Sequence, residues 1–366
     1  MKFFDLTKEA DLIIKKNILR DLEIFLKKGS YINGKENLLL ENKLKKIVGA
    51  KYCKVCSSGT DALLISLMNL GLKKGDEVIT SPYSWISVAE VVSLLGLKVR
   101  FADINLDSFN IDLNHIKAIT SKRTKVIIPV SIFGMCSNLI EIKKFTKKNN
   151  ITLIEDAAQS LGAKILNLNS CNIADISCTS FFPTKILGGY GDGGAIFTNK
   201  QSNYKKISKI VNHGSIDRKN FDLVGMNARM DTIQSIFLLK KIKFLKKNIK
   251  QRRTIARMYN DFFLENNIYG YQNTNLKNYS VYSQYTILVK NRKKFTNYLK
   301  DFKIPYKIYY EKPIYKNKAY FQKIFLKNTE FISKHSVSLP INLYDLNKTK
   351  YVIKKLKRIS IDKKIF

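Results

Sequence analysis

The sequence predicts an α/β fold. Short apolar runs recur between residues 77 and 198, and segments with helical spacing separate them. Strands that are apolar throughout, joined by helices, argue for a sheet covered on both faces. A glycine-rich stretch, Gly188-Gly189-Tyr190-Gly191-Asp192-Gly193-Gly194, interrupts the alternation where a loop must pass close to other backbone. At roughly 150 residues per domain, the 366-residue length suggests two domains.

Taken in order, residues 8 to 28 read as one amphipathic helix, broken at Tyr31-Ile32-Asn33-Gly34. Asn37 to Val48 is a second helix, stopped by Gly49. Ser58-Gly59-Thr60 opens a third through Asn69, with Gly71 as its stop. Strands are expected at Glu77 to Thr80, Lys98 to Ala102, Lys125 to Val130, Thr152 to Glu155, Ile176 to Ser180 and Ala195 to Thr198. Helices are expected at Ile86 to Leu95 and Ser137 to Lys148, and Ser81 to Trp85 is a loop. A long basic helix, bent along its length, starts near Met230 and runs towards Glu265. Residues 280 to 290 alternate like a half-buried strand. The glycine-rich motifs stop near residue 250. The expected division is a large domain over 1–245 and a smaller one over 246–366.

Composition excludes several classes. The chain is 45% hydrophobic, enough for a large core, and its six prolines and seventeen glycines exclude low-complexity and collagen-like chains. The net charge of +36 comes mostly from lysines in pairs on amphipathic stretches. That pattern is a solvated surface, with the Lys, Asn and Ile bias an AT-rich coding sequence gives, so no nucleic-acid partner is expected. No segment reaches the ~20 apolar residues of a membrane span, and no signal peptide is visible, so a cytoplasmic protein is expected. Cys53 and Cys56 form a CxxC without a second pair or a histidine cluster. Buried free thiols are a better reading than zinc for all five cysteines.

The chemistry gathers in a few places. Lys185 lies between the hydroxyl-bearing Ser180-Phe181-Phe182-Pro183-Thr184 and the glycine-rich loop. Asp156 ends an apolar strand, and Gln159 follows three residues on, on the same face of a turn. Together they supply what pyridoxal 5'-phosphate needs: an amine for a Schiff base, a carboxylate for the ring nitrogen and small groups around a phosphate. Taken alone, Asp156 is equally an N-cap. Gly59 and Thr60 open a helix whose free amides suit a phosphate, although Ser and Thr are also ordinary caps. Trp85, the single tryptophan, is a stacking face for a flat ring or a core residue. Arg229 offers a fork for a carboxylate or phosphate, or forms a structural ion pair.

The ordered motifs Ser-Gly-Thr-Asp-Ala-Leu (58–63), Gly-Asp-Glu-Val-Ile (75–79), Glu-Asp-Ala-Ala-Gln (155–159), Ser-Phe-Phe-Pro-Thr-Lys (180–185) and Gly-Asp-Gly-Gly-Ala (191–195) give the chain a resemblance. It resembles the DegT/DnrJ/StrS sugar aminotransferases from Phe4-Asp5-Leu6 to Ser338-Leu339-Pro340. The resemblance implies fold type I of the pyridoxal-phosphate enzymes: a mixed, mostly parallel seven-stranded sheet flanked by helices, plus a smaller C-terminal α/β domain. It implies Lys185 as the Schiff-base lysine, Asp156 on the pyridinium nitrogen and Gln159 on the phenolic oxygen. Gly59, Thr60 and Ser180 would hold the phosphate, Trp85 would lie over the ring, and Asn227 would reach the phosphate of the neighbouring subunit in a homodimer.

The segments 129–136, 178–182 and 280–286 are more similar to the branch acting on UDP-2-acetamido-2-deoxy-3-oxo-glucuronate, with Ser131 where many relatives carry His. That resemblance implies transfer of the amino group of L-glutamate to C3 of the sugar, for a lipopolysaccharide O antigen. The other reading within the family is 3- or 4-amino transfer to a dTDP- or UDP-linked keto-6-deoxysugar. The family's dehydrases replace the lysine with His, so Lys185 speaks against dehydration. Arg229, Tyr309 and Tyr315 are the expected substrate contacts. Tyr315 stands where much of the family has His, and a phenol hydrogen-bonds without carrying an imidazolium's charge.

Overall fold

Consecutive residues of the central strands face opposite sides of one sheet, and both sides are apolar. Val78, Val126, Ile154, Ile176 and Ile196 pack on one face with Ile65, Val88 and Val92. Their neighbours Ile79, Ile127 and Leu153 pack on the other with Ile116 and Ile142. This two-sided burial is what lets parallel strands persist. The structure is a computed structural model and describes residues 1–217, 219–268, 270–272, 278–360 and 365–366.

The seven-stranded sheet has the order Tyr52–Cys56, Gly194–Thr198, Ile176–Ser180, Thr152–Asp156, Thr124–Ile128, Glu77–Thr80, Lys98–Phe101. Gly194–Thr198 pairs antiparallel with both of its neighbours, and every other adjacent pair in that order is parallel. Six strands therefore end on the side where Gly194–Thr198 begins. Helices Gly59–Met68 and Ser87–Leu94 pack on one face through the Ile65, Val88 and Val92 contacts. Lys35–Val48 and Thr232–Lys241 cover Val55, Ala195 and Phe197 on the other through Leu40, Leu44 and Leu238.

A further apolar cluster uses only residues from Ile255 onward, around the antiparallel strands Tyr285–Leu288 and Ser336–Leu339. The helix Leu245–Glu265 reaches from the Leu245 end of the first core to this one.

Several expectations need correction. The expected helix over 8–28 is two helices, Thr7–Ile14 and Ile18–Lys28, because Asn17 takes a left-handed conformation at φ 58° between them. The bend in the long basic helix is a 3-10 turn, Ile242–Phe244. The strand in 280–290 is confined to Tyr285–Leu288, since Ser280 and Val281 instead bond Gly134. Tyr52–Cys56, Leu113–Ile119 and Gln201–Ile210 were not expected at all.

Candidate active site

The strands end together, and their last residues open the site. Tyr52–Cys56 leads into Ser58, whose hydroxyl caps the helix Gly59–Met68 by accepting from the Asp61 N–H at 2.9 Å. Ile176–Ser180 ends on Ser180 and Thr152–Asp156 on Asp156. Ligands of parallel α/β sheets bind outside these carboxyl ends.

The lysine loop is built backbone to backbone. Phe181 N–H donates to the Gly193 carbonyl at 2.7 Å and Gly189 N–H to Phe181 at 2.6 Å. A Cβ at Gly188 would lie 2.3 Å from the Pro183 oxygen, so only glycine allows this return. Lys185 N–H donates to the Phe182 carbonyl at 2.9 Å within the loop.

Lys185 and Asp156 are brought within electrostatic reach of one another. Burial pulls the Lys185 ammonium below the ordinary lysine value, and the Asp156 charge opposes that pull. Burial likewise pushes Asp156 up, against the Ala158 N–H that it accepts at 3.0 Å and against Lys185. An amine whose hold on its proton is weakened by burial, with a carboxylate in reach, suits imine formation and proton transfer.

Gln159 is buried beside them. Its Oε1 accepts from the Phe133 N–H at 2.8 Å, and its Nε2 donates to the Tyr310 hydroxyl at 3.2 Å. The backbone N–H of Trp85 faces the same hydroxyl, which burial holds protonated. Tyr310 packs edge-on against Tyr83, with ring centroids 5.8 Å apart. Sequence reasoning named Tyr309 and missed Tyr310. The adjacent tyrosines were visible, but the contact joining Tyr310 to Gln159 spans two distant parts of the chain. Tyr309 lies in the same aromatic cluster, and its carbonyl accepts from the Tyr83 hydroxyl.

Gly59 and Ser180 touch. A Cβ on Gly59 would lie 2.6 Å from the Ser180 Cβ, and one on Gly194 would lie 2.3 Å from the Ser58 oxygen. The lack of a side chain at Gly59 and Gly194 is what lets the start of the helix approach Ser180 and the neighbouring strand this closely. The Thr60 hydroxyl also pairs with Ser87 Oγ at 2.8 Å. Such a glycine-lined helix start is an anion cradle.

Trp85 is 65% exposed, so the core alternative for it is excluded. Asn227 is exposed, with its backbone bridged to Asn212. Arg229 is not in an ion pair among the described residues. Its Nη1 donates to Asn212 Oδ1 at 3.1 Å, and its buried Nε has no partner. Tyr315 is not brought to this cluster. It is 1% exposed, packs against Phe101, and gives its hydroxyl to Glu330 at 2.8 Å. The substrate contact expected of it is therefore corrected to a core role.

All five cysteines are free and buried, and no metal-holding cluster occurs among the described residues. No helix among the described residues is long and apolar enough to cross a membrane.

A mixed sheet with a half-buried lysine in electrostatic reach of a buried aspartate beyond its strand ends defines a fold type I transferase. The DegT/DnrJ/EryC1/StrS aminotransferase family model matches residues 12–357, and the chain belongs to that family. It is 40% identical over 345 residues to the UDP-2-acetamido-2-deoxy-3-oxo-D-glucuronate aminotransferase of Pseudomonas aeruginosa, covering 94% of this chain and 96% of that protein. It is 32% identical to a pleiotropic regulatory protein of Geobacillus stearothermophilus, over 90% of each. A DegT DnrJ EryC1 StrS aminotransferase from Brucella abortus superposes with a TM-score of 0.94 at 31% identity, covering 99% of this chain and all of that one.

Proposed function

We propose that this aminotransferase uses pyridoxal 5'-phosphate to move the amino group of L-glutamate to C3 of UDP-2-acetamido-2-deoxy-3-oxo-D-glucuronate. The observation that carries the reading is the half-buried Lys185 in electrostatic reach of the buried Asp156 at the strand ends. The substrate rests on the similarity to the Pseudomonas aeruginosa enzyme. The residues fit the cofactor: an amine, a carboxylate, a buried amide and a glycine-lined helix start lie on one side of the sheet.

When bound, pyridoxal phosphate supplies an electron sink for the charge left as the donor's Cα proton departs. Lys185 Nζ would hold the cofactor, be freed when the donor's amine takes its place, and then take that proton and return it, a task suited to an amine whose proton affinity burial has lowered. Asp156 would keep a proton on the ring nitrogen, and Gln159 Nε2 would donate to the phenolic oxygen. The amides of Gly59 and Thr60 and the Ser180 hydroxyl would hold the phosphate, and Trp85 would cover the ring.

Asn227 reaches the phosphate of a neighbouring subunit, so the active unit is a homodimer. Arg229 and Tyr309 take the sugar nucleotide, and the unpartnered Arg229 Nε supports an anionic ligand there. The division into 1–245 and 246–366 is part of this reading, supported by a core that uses only residues from Ile255 onward. Buried free thiols support a reducing, cytoplasmic setting.

The test supplies purified protein with pyridoxal phosphate, L-glutamate and the 3-oxo-glucuronate, made in situ by a dehydrogenase, and follows products by mass spectrometry. The expected result is the 3-amino sugar with 2-oxoglutarate. Product only from a dTDP-linked keto-6-deoxysugar, supplied separately, would move the substrate to that class.

A further inference from the structure

Glu155 is a carboxylate that the reading above leaves unused. It precedes Asp156 on one strand and is fully buried. Strand alternation turns its side chain to the sheet face opposite Asp156. No cation pairs with it among the described residues. Four donors hold it instead: Ser131 Oγ at 3.1 Å and Ser170 Oγ at 2.7 Å on Oε1, Cys171 N at 2.8 Å and Ser177 Oγ at 3.2 Å on Oε2. A buried carboxylate needs such a set to be tolerated at all.

One of these arms leads towards the lysine site. Ser131 N–H donates to the Asp156 carbonyl at 3.0 Å, so Glu155, Asp156 and Ser131 form a closed ring of contacts. Two residues after Ser131, Phe133 adopts a left-handed conformation at φ 55°. A bulky residue holds that conformation only where its surroundings enforce it. Its N–H is the donor that fixes Gln159 Oε1 at 2.8 Å. Ser177, by contrast, binds the other oxygen of the same carboxylate from the neighbouring strand, and its hydroxyl is not hydrogen-bonded to the 131–134 turn.

We propose that Glu155 is a positioning residue for the transamination: through Ser131 it fixes the turn whose Phe133 N–H aims Gln159, and through its own strand it fixes Asp156. The proposal rests on the roles given above to Gln159 and Asp156.

Two variants separate positioning from general support of the core. Ser131→Ala and Ser177→Ala each remove one hydroxyl donor to Glu155, but only the first lies on the route to Gln159. In cofactor-free protein, hydrogen exchange at the Phe133 amide should accelerate about 10-fold in Ser131→Ala and stay within about 2-fold in Ser177→Ala. In the holoenzyme, Ser131→Ala should shift the pH midpoint of the bound cofactor's absorbance. It should also lower kcat about 10-fold with KM for the keto sugar within about 2-fold. Ser177→Ala should leave both unchanged.

Glu155→Gln should reproduce the Ser131→Ala pattern; should it fail to fold, the serine pair still decides. Equal exchange and equal titration in the two serine variants would overturn the proposal. Failure of the aminotransferase reading looks different: exchange separates the variants, yet glutamate changes no absorbance even in the unaltered protein. That result removes the positioning role together with the reading it rests on.

Discussion

Gln159 Nε2 donates to the Tyr310 hydroxyl at 3.2 Å, joining the strand end that carries Asp156 to a tyrosine near the far end of the chain. The half-buried phenol remains protonated at neutral pH, its ionisation pushed up by desolvation. Tyr310→Phe would leave Nε2 unpaired on that side. The expected loss is about 1 kcal/mol in urea unfolding. A kcat about 10-fold lower is expected as Gln159 loosens. Unchanged kcat would separate this contact from the reaction.

The Lys185–Asp156 pair makes a pH prediction. The folded Lys185 value lies below the 10.5 of an ordinary lysine. Between those two values the unfolded chain binds more protons than the folded chain, so this group makes stability rise with pH there. Asp156 is raised above 3.8, so across its own window the folded chain binds more protons and stability falls as pH climbs. In cofactor-free protein, Lys185→Met should remove the alkaline rise and Asp156→Asn the acidic fall. Urea unfolding at a series of pH values checks both, and variant curves parallel to the parent curve would contradict the pair.

Gly59 meets Ser180 too closely for any side chain, with a Cβ separation of 2.6 Å on substitution. Gly59→Ala should therefore cost about 1–3 kcal/mol of stability. It should also weaken pyridoxal phosphate binding. Adding Ser180→Gly should recover stability but not cofactor affinity, because the serine hydroxyl is then gone. Thermal unfolding and cofactor titration separate the two effects.

Asn227 is exposed on this chain, which suits the proposed role at a neighbouring subunit's site. Lys185→Ala and Asn227→Ala should each be inactive as homodimers. Mixed under conditions that exchange subunits, they should regain activity, because each hybrid dimer holds one site with both residues intact. No recovery, with exchange verified by mass, would place Asn227 in its own subunit's site.

Much of this site was legible because its chemistry is local. Lys185 with its glycine loop, and Asp156 with Gln159, are short segments whose spacing states their geometry. The central strands were legible because burial on both faces makes them apolar throughout. Tyr52–Cys56 escaped notice because Lys54 interrupts its apolar run, an interruption tolerated through an ion pair with the buried Glu41 at 3.1 Å. Tyr310 and Tyr315 could not be told apart in sequence. Their difference lies in which partner the hydroxyl finds, Gln159 or Glu330, and both contacts are tertiary. Glu155 reads as half of an acidic pair until the fold supplies its four donors.

The central claim is that Lys185 carries the cofactor. The most direct measurement incubates the protein with pyridoxal phosphate, reduces it with borohydride, digests it and locates the modified lysine by mass spectrometry. The expected result is one modified peptide, containing Lys185, and none from Lys185→Ala. Stable modification of a different lysine in both proteins would contradict the account.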